Sequence, residues 1–256
     1  MNMIAFITGA TSGIGRATAK LLAANGYDVI ITGRRKDLLI TTEKEVKEST
    51  DADVLSLCFD VRNLEKVVKQ VKALQGKWSW IDVLVNNAGL ASGLNPIHKG
   101  EIDDWERMID TNIKGLLYVT RAVTPGMVER NSGHIINIGS IAAKEVYEQG
   151  NVYCATKHAV DALNKGMRVD LVEHNIRVTA IHPGAAETEF SIIRFHGNKD
   201  KADKVYEGFT PLYEDDIAEA VLFAVTRPLH VNINEMVIMP AAQANTSKTV
   251  KKSLKL

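Results

Sequence analysis

Residues 8–15 read Thr8-Gly9-Ala10-Thr11-Ser12-Gly13-Ile14-Gly15 and place three glycines between an apolar run, Ile4–Thr8, and a segment of helical periodicity, Ile14–Asn25. A strand, a glycine-rich turn and a helix in this order are typical of a dinucleotide-binding βα unit. The first glycine permits the tight turn, the second lets the backbone approach a pyrophosphate, and the third lets the helix pack close to the strand. The stretch therefore predicts a phosphate-binding loop at the N-terminus of the first helix.

Short apolar runs rich in β-branched residues alternate with helix-period segments along the rest of the chain. The strand candidates are Ile4–Thr8, Val29–Thr32, Val54–Phe59, Val83–Asn86, His134–Ile138, Arg177–His182 and Met236–Met239. The further helix candidates are Leu64–Leu74, Trp105–Arg130, Val152–His174 and Asp215–Val225. Continuous apolar runs indicate strands buried on both faces, and the alternation indicates right-handed βαβ units. We therefore expect an α/β fold, a Rossmann-type doubly wound parallel sheet of about seven strands in a single domain.

The domain is expected to span residues 1–246, because no Pro-, Gly- or Ser-rich linker divides the chain. A polar insertion at residues 185–212 interrupts the alternation before the last helix. Residues 247–256 form a basic tail that contains lysines but no acidic residue. This tail fits either a solvated end or a contact with a neighbouring subunit.

The composition excludes several classes of protein. The 31 basic and 31 acidic residues give a formal net charge of zero, which argues against a nucleic-acid partner. Cys58 and Cys154 are too few for a disulfide framework or a zinc site of their own, so we expect reduced thiols. The sequence shows no signal peptide and no apolar stretch long enough for a membrane span. We therefore expect a cytoplasmic protein with no membrane partner.

The end of the second strand indicates which dinucleotide is bound. An NAD site places an acidic residue there to hold the ribose 2′-hydroxyl, but this chain has Gly33-Arg34-Arg35 instead. A carboxylate would repel a 2′-phosphate, whereas a guanidinium binds it through paired hydrogen bonds. Arg34 and Arg35 therefore favour NADP(H).

Tyr153 and Lys157 lie four residues apart in a helical segment, so they share one face of the helix. A free tyrosine with a pKa near about 10 is a poor proton donor and acceptor at neutral pH, and a nearby ammonium lowers that pKa. Ser140 follows the strand His134–Ile138, at the edge where parallel sheets bind ligands. Its hydroxyl is placed to hold a carbonyl oxygen beside the tyrosine.

The chain resembles the short-chain dehydrogenase/reductase family over nearly its full length. The matching motifs are Thr8-Gly9-x-x-x-Gly13-Ile14-Gly15, Asn86-Asn87-Ala88-Gly89, Asp110-Thr111-Asn112, Ile138-Gly139-Ser140, Tyr153-x-x-x-Lys157 and Pro183-Gly184. Stretches such as Pro125–Asn131 and Thr188–Ser191 are similar to the NADP-dependent serine and 3-hydroxy acid dehydrogenases of that family.

The resemblance implies a role for each catalytic residue. Tyr153 would be the general acid in reduction and the general base in oxidation. Ser140 would position the substrate oxygen. Lys157 would lower the pKa of the tyrosine and bind the nicotinamide ribose, and Asn112 would hold a water that links Lys157 to solvent. No metal is expected, because this mechanism uses none.

The resemblance also implies the contacts to NADP(H). The residues that would form them are Gly9, Ser12, Gly13, Ile14, Gly15, Arg34, Arg35, Asp60, Val61, Asn87, Ala88, Gly89, Tyr153, Lys157, Pro183, Gly184 and Thr188. Members of this family build a substrate lid at the position of residues 185–212, and they usually form homotetramers through their long helices. We therefore expect a homotetramer.

The sequence is less informative about the substrate. Arg194, between apolar neighbours in the expected lid, is the best candidate to bind a carboxylate or sulfonate. Gln243 is a second candidate, and Glu145 or Glu187 would pair with a substrate ammonium. A small anionic substrate is thus expected, with serine, allo-threonine, 3-hydroxypropionate and a hydroxy-sulfonate such as isethionate all open.

Two other functions stay open at this point. One is reduction of a larger apolar ketone or an acyl-carrier substrate on the same fold. The other is a non-catalytic protein that senses NADP, which would not need Ser140, Tyr153 and Lys157 together.

Overall fold

Seven short β-branched runs form one parallel sheet in the computed structural model, which describes residues 2–251. The strands are β1 (Met3–Ile7), β2 (Tyr27–Gly33), β3 (Val54–Cys58), β4 (Val83–Asn86), β5 (Gly133–Ile138), β6 (Ile176–Pro183) and β7 (Glu235–Ile238). Their order across the sheet is β3-β2-β1-β4-β5-β6-β7. The strand order reverses between β1 and β4, which opens a crevice at the carboxyl ends of the central strands. The predicted Rossmann-type parallel sheet is confirmed.

Nine α-helices are found among residues 2–251. They are α1 (Gly13–Ala24), α2 (Lys36–Ser49), α3 (Leu64–Lys72), α4 (Ile102–Ile109), α5 (Leu116–Glu129), α6 (Asn151–Leu171), α7 (Glu189–Arg194), α8 (Lys199–Tyr206) and α9 (Glu214–Val225). Buried side chains of α1, α2 and α9 pack on one face of the sheet, and those of α3 and α5 pack on the other. Apolar cover on both faces explains why the strands are continuous apolar runs.

The predicted single helix over Trp105–Arg130 is wrong, because the helical path changes at its centre. A π-helical turn, Asp110–Gly115, separates α4 from α5. Gly115 packs so closely on Val61 that a Cβ there would lie 2.7 Å from the valine Cγ2. Widened turns of this kind are frequent at functional sites, and this one carries Asn112.

The insertion at 185–212 contains α7 and α8, which periodicity did not predict. Both helices are short, and each begins at a side-chain cap, Thr188 or Asn198, that accepts a hydrogen bond from a backbone N–H. Local capping thus starts helices too short for an apolar pattern. That the insertion acts as a lid stays a prediction.

The C-terminal segment folds back on itself as far as it is described, since Gln243 and Thr249 form an antiparallel bridge. The part of the basic tail at residues 252–256 lies outside the described residues. Apolar side chains are exposed on α4, α5 and α6 at Ile102, Ile109, Leu117 and Val169. The expected homotetramer stays a prediction. None of the described helices has the length and apolar character needed to cross a membrane.

Candidate active site

A cleft of about 630 Å³ opens at the carboxyl ends of the central strands. Most residues that the sequence predicts for the site line it, including Gly9, Ser12, Gly13, Ile14, Arg34, Arg35, Asp60, Val61, Asn87, Ala88, Gly89, Ser140, Tyr153, Lys157, Pro183, Gly184, Thr188, Arg194 and Gln243. Four predicted residues do not line it, namely Gly15, Asn112, Glu145 and Glu187. The sheet topology therefore assembles residues that are far apart in the sequence.

The glycine-rich loop after β1 forms one end of the cleft. Gly9 has a φ of +69°, and a Cβ there would lie 2.9 Å from the Cα of Ala88. Gly15 supports the loop from below, since a Cβ at this position would collide with the Gly9 carbonyl oxygen and the Asn87 amide. Ser12 precedes α1 without capping it through its side chain, so the first N–H groups of the helix face the cleft. This cradle fits the pyrophosphate of a dinucleotide.

Arg34 and Arg35 lie beside this loop. One Nη of Arg35 donates to Ser12 Oγ at 2.6 Å and to Thr11 Oγ1 at 3.0 Å. Its other Nη lies 2.9 Å from Glu189 Oε2, at the start of α7. Arg34 Nη1 lies 3.6 Å from Asp60 Oδ2. Two guanidinium groups thus stand at the edge of the cleft where β2 ends, in position for an anionic group.

Ser140, Tyr153 and Lys157 come together at the centre of the cleft. Ser140 follows β5 in an extended conformation, and its Oγ accepts a hydrogen bond of 3.1 Å from the backbone N–H of Ala142. Tyr153 and Lys157 lie on the same face of α6, with exposed fractions of 8% and 6%. The Lys157 ammonium donates to the Ile138 carbonyl oxygen at 3.0 Å and lies 6.0 Å from the centre of the Tyr153 ring.

Burial controls the protonation of this pair. Burial raises the pKa of Tyr153 well above its ordinary value, the neighbouring Tyr147 raises it further, and Ser140 and Arg194 oppose the shift. Burial also lowers the pKa of Lys157 to about 8. Burial thus gives the largest contribution to the pKa of Tyr153, and the predicted lowering of this pKa by the Lys157 ammonium stays a prediction. Tyr153 holds its proton at neutral pH, as a proton donor must.

Asn112 lies behind the cleft rather than in it. Its Oδ1 accepts from the Leu90 N–H at 2.8 Å, while its Nδ2 donates to the Leu90 carbonyl at 2.8 Å and to Thr156 Oγ1 at 3.0 Å. These bonds tie the π-helical turn to the loop after β4 and to α6. The water-holding role stays a prediction.

Arg194, at the end of α7, is the only predicted substrate residue whose charged group lies among the aromatic side chains of the described cleft. Its guanidinium carbon lies 5.3 Å from the centre of the Tyr147 ring and 5.6 Å from that of Tyr153. One Nη donates to the Tyr147 hydroxyl at 2.6 Å. Its Nε is buried and has no hydrogen-bond partner among residues 2–251. An unused buried donor beside Tyr153 is a place for an acceptor on a ligand.

The other substrate candidates have structural partners. Gln243 Oε1 accepts from the Ala185 N–H at 2.8 Å and so holds the start of the insertion. Glu145 Oε2 accepts from the backbone N–H and hydroxyl of Thr246, both at 2.9 Å. Glu145 and Glu187 do not line the cleft. Neither acid lies at the cleft, and its pairing with a substrate ammonium stays a prediction without support from this geometry.

Sequence reasoning missed three residues that shape this site. Thr11 holds Arg35, Tyr147 holds Arg194, and the Phe190 ring stands edge-on to the Tyr153 ring with centroids 5.6 Å apart. No local sequence pattern predicts Tyr147 or Phe190, because both contact the site from segments that are distant in the chain.

Comparisons with known proteins agree with this geometry. A family model described as short chain dehydrogenase matches residues 3–198. The NADP-dependent 3-hydroxy acid dehydrogenase YdfG of Salmonella typhi is 50% identical over 252 residues, covering 98% of this chain and 100% of that protein. The closed form of a serine dehydrogenase complexed with NADP+ has a TM-score of 0.92 at 46% identity, with 97% of this chain and 99% of that chain covered. Serine dehydrogenase from Escherichia coli has a TM-score of 0.80 at 42% identity, with 94% and 100% covered.

The glycine loop generates a first prediction. We expect Gly15→Ala to lower the free energy of unfolding by about 2 kcal/mol or more, because overpacking of this kind displaces backbone. The matched control is Gly166→Ala in α6, where a Cβ meets nothing within 4 Å. This control should raise stability by roughly 0.5–1 kcal/mol through helix propensity. Urea unfolding of both variants checks the pair, and equal effects at the two sites would contradict the close packing.

Proposed function

The chain belongs to the short-chain dehydrogenase family, and we propose that it is an NADP(H)-dependent oxidoreductase that interconverts a small 3-hydroxy acid with its aldehyde or keto form. The relatives named above support the reaction class and the cofactor. The substrate of this chain is inferred from the position of Arg194.

The observation that carries the proposal is the short distance between Arg194 and Tyr153. The guanidinium carbon lies 5.6 Å from the centre of the phenol ring, and its buried Nε has no hydrogen-bond partner among residues 2–251. A ligand that binds both groups must hold its anion only a few bonds from the oxygen that exchanges a proton. A 3-hydroxy acid has that spacing, since a single carbon separates its carboxyl carbon from its hydroxyl carbon. A long acyl chain does not need such a clamp.

The side chains of this protein divide the work of proton transfer. Ser140 and Tyr153 hold the substrate oxygen between their hydroxyl groups. During reduction Tyr153 donates its proton to the carbonyl oxygen, which its raised pKa permits at neutral pH. During oxidation the deprotonated oxygen of Tyr153 accepts the proton of the substrate hydroxyl. The bound nicotinamide supplies or accepts the hydride.

Lys157 and the arginines position the cofactor in this proposal. The buried Lys157 ammonium is tied to the carboxyl end of β5 through the Ile138 carbonyl. It can therefore donate to a ribose hydroxyl without leaving its place. Arg34 and Arg35 bind the 2′-phosphate, because their guanidinium groups flank the loop at the end of β2. This pairing supports NADP(H) over NAD(H).

The anionic group of the substrate is a carboxylate or a sulfonate, since both accept paired hydrogen bonds from a guanidinium. Serine, allo-threonine, 3-hydroxypropionate and isethionate all meet the spacing requirement. Glu145 and Glu187, which we expected to bind an ammonium, do not line the cleft. These two residues therefore give no support for an ammonium group on the substrate, and 3-hydroxypropionate is the simplest acid that fits the proposal.

Tyr153→Phe tests the chemistry. We expect kcat for oxidation of 3-hydroxypropionate by NADP+ to fall about 10²-fold or more, because the variant lacks the proton-exchanging hydroxyl. NADP+ affinity should fall far less than kcat, because most of the predicted contacts to the dinucleotide remain. NADPH formation followed by absorbance gives kcat, with Tyr118→Phe outside the cleft as the matched control. Near-full activity of Tyr153→Phe would contradict the assignment and favour a protein that only senses the dinucleotide.

Arg194→Ala tests the substrate class. We expect KM for 3-hydroxypropionate to rise about tenfold or more, since a charge-assisted hydrogen bond contributes roughly 1.5–3 kcal/mol. Turnover of an uncharged alcohol or ketone should change little. Steady-state kinetics on the acid and on the uncharged compound make the comparison. An unchanged KM for the acid would contradict the binding of the substrate anion by Arg194. It would favour the alternative substrate, a larger apolar ketone.

A further inference from the structure

A group of charged side chains, buried at Asp161 and exposed at Lys165 and Glu235, lies behind Ser140 and outside the proposed substrate cleft. Lys144 Nζ lies 3.0 Å from Asp161 Oδ1 and 2.6 Å from Glu235 Oε2. Lys165 Nζ lies 2.8 Å from the other oxygen of Asp161. His182, on β6, completes this set, which we call the rear cluster. None of these residues lines the cleft among the described part of the chain.

His182 connects the rear cluster to the backbone of Ser140. Its side chain is fully buried. Its Nδ1 lies 3.3 Å from the backbone nitrogen of Ser140, and its Nε2 lies 3.5 Å from Asp161 Oδ1 and 4.0 Å from Glu235 Oε2. Gly139 allows this approach, because a Cβ there would overlap the imidazole. The ring therefore stands between two carboxylates on one side and Ser140 on the other.

The rear cluster already contains its own cation. Ligand atoms of Asp161, His182 and Glu235 lie within 4.8 Å of one another, a spacing that a metal ion could use. The Lys144 ammonium, however, lies in contact with both carboxylates, and Lys165 neutralises the second charge of the pair. Two lysines balance two acids, so the cluster is an ion network beside the buried imidazole, with Lys165 and Glu235 exposed.

Two tautomers of His182 are compatible with its contacts on the Ser140 side. Nδ1 is 3.3 Å from the Ser140 nitrogen and 3.2 Å from the Ser140 carbonyl oxygen. A ring protonated on Nδ1 would donate to the carbonyl and leave Nε2 facing the carboxylates as an acceptor. A ring protonated on Nε2 directs its N–H toward Asp161 and Glu235, and its Nδ1 accepts from the Ser140 N–H. The carboxylates favour the tautomer protonated on Nε2. In the other tautomer, their oxygens would face the lone pair of Nε2.

The charge of the ring agrees with this choice. Burial and the Lys144 ammonium lower the pKa of His182 to about 4, and Asp161, Glu235 and the Ser140 backbone only partly oppose them. The imidazole is therefore neutral at physiological pH and has one donor and one acceptor to distribute.

We propose that His182 is a positioning residue for Ser140, with its Nε2–H held toward Asp161 and Glu235 and its Nδ1 accepting the backbone N–H of Ser140. His182 then fixes the backbone of Ser140. The Ser140 Oγ accepts a hydrogen bond of 3.1 Å from the Ala142 N–H. The hydroxyl proton of Ser140 can then point to the substrate oxygen. Residues that bind no ligand commonly orient those that do, and the Asp161–His182–Ser140 chain has that form. The inference rests on the proposed function only in taking Ser140 as the group that holds the substrate.

Nuclear magnetic resonance of the full chain labelled with ¹⁵N-histidine tests the tautomer without any substrate. The ring nitrogens report which of them carries the proton, and His182→Asn identifies the His182 signals by their loss. We expect a neutral ring protonated on Nε2 at pH 7. A proton on Nδ1 would overturn the proposal. This result does not depend on activity, so failure of the proposed function through Tyr153→Phe is distinguishable from failure here.

A matched pair of variants tests the effect on turnover. The side-chain oxygen of Asn reaches the position of Nδ1 and can still accept from Ser140, whereas the amide of Gln reaches the position of Nε2 and cannot. We expect His182→Asn to keep kcat within about twofold of the wild type, and His182→Gln to lower kcat about five- to tenfold, the share of one neutral hydrogen bond. NADP+ affinity should be unchanged in both. Equal losses in the two variants, or a larger loss with Asn, would show that His182 only fills space.

Discussion

The removal of Tyr153 and Lys157 from water is the constraint on which the candidate site depends. Less than a tenth of either residue is exposed, and burial disfavours the charged form of each. The phenol therefore keeps its proton, and the pKa of the lysine falls to about 8. This arrangement differs from an ion pair of phenolate and ammonium. It gives a proton donor at neutral pH beside an amine whose charge responds to mildly alkaline pH.

The fold holds this pair from two sides. In front, the cleft combines the loop after β1, the arginines after β2 and the short helix α7, which carries Arg194. Behind, the π-helical turn fixes Asn112 against Thr156 of α6, and the rear cluster faces Ser140. Reaction partners therefore meet a surface built from strand ends and helix starts, which includes the uncapped first N–H groups of α1. Asn112 and the carboxylates of the rear cluster have hydrogen-bond partners of their own behind the cleft.

The strands and the main residues of the cleft could be predicted from the sequence because their signals are local. Runs buried on both faces leave continuous apolar stretches, and the glycine loop and Tyr153-x-x-x-Lys157 are short motifs. Helix α2 was missed since only Leu39, Thr42 and Val46 along it are buried. The contact of Glu145 with Thr246 joins residues 101 positions apart, and that of Tyr147 with Arg194 joins residues 47 apart. No single-sequence pattern records such pairs, and neither does it record the burial that raises the pKa of Tyr153.

The most direct test of the account is a spectroscopic pH titration of the phenol groups in the chain without dinucleotide. The phenolate absorbance of the wild type minus that of Tyr153→Phe isolates one of six tyrosines. The account predicts no ionisation of Tyr153 below about pH 10, the value for a solvated tyrosine. A phenolate that forms near neutral pH and is lost in the variant would contradict it, because the Lys157 ammonium would then outweigh burial.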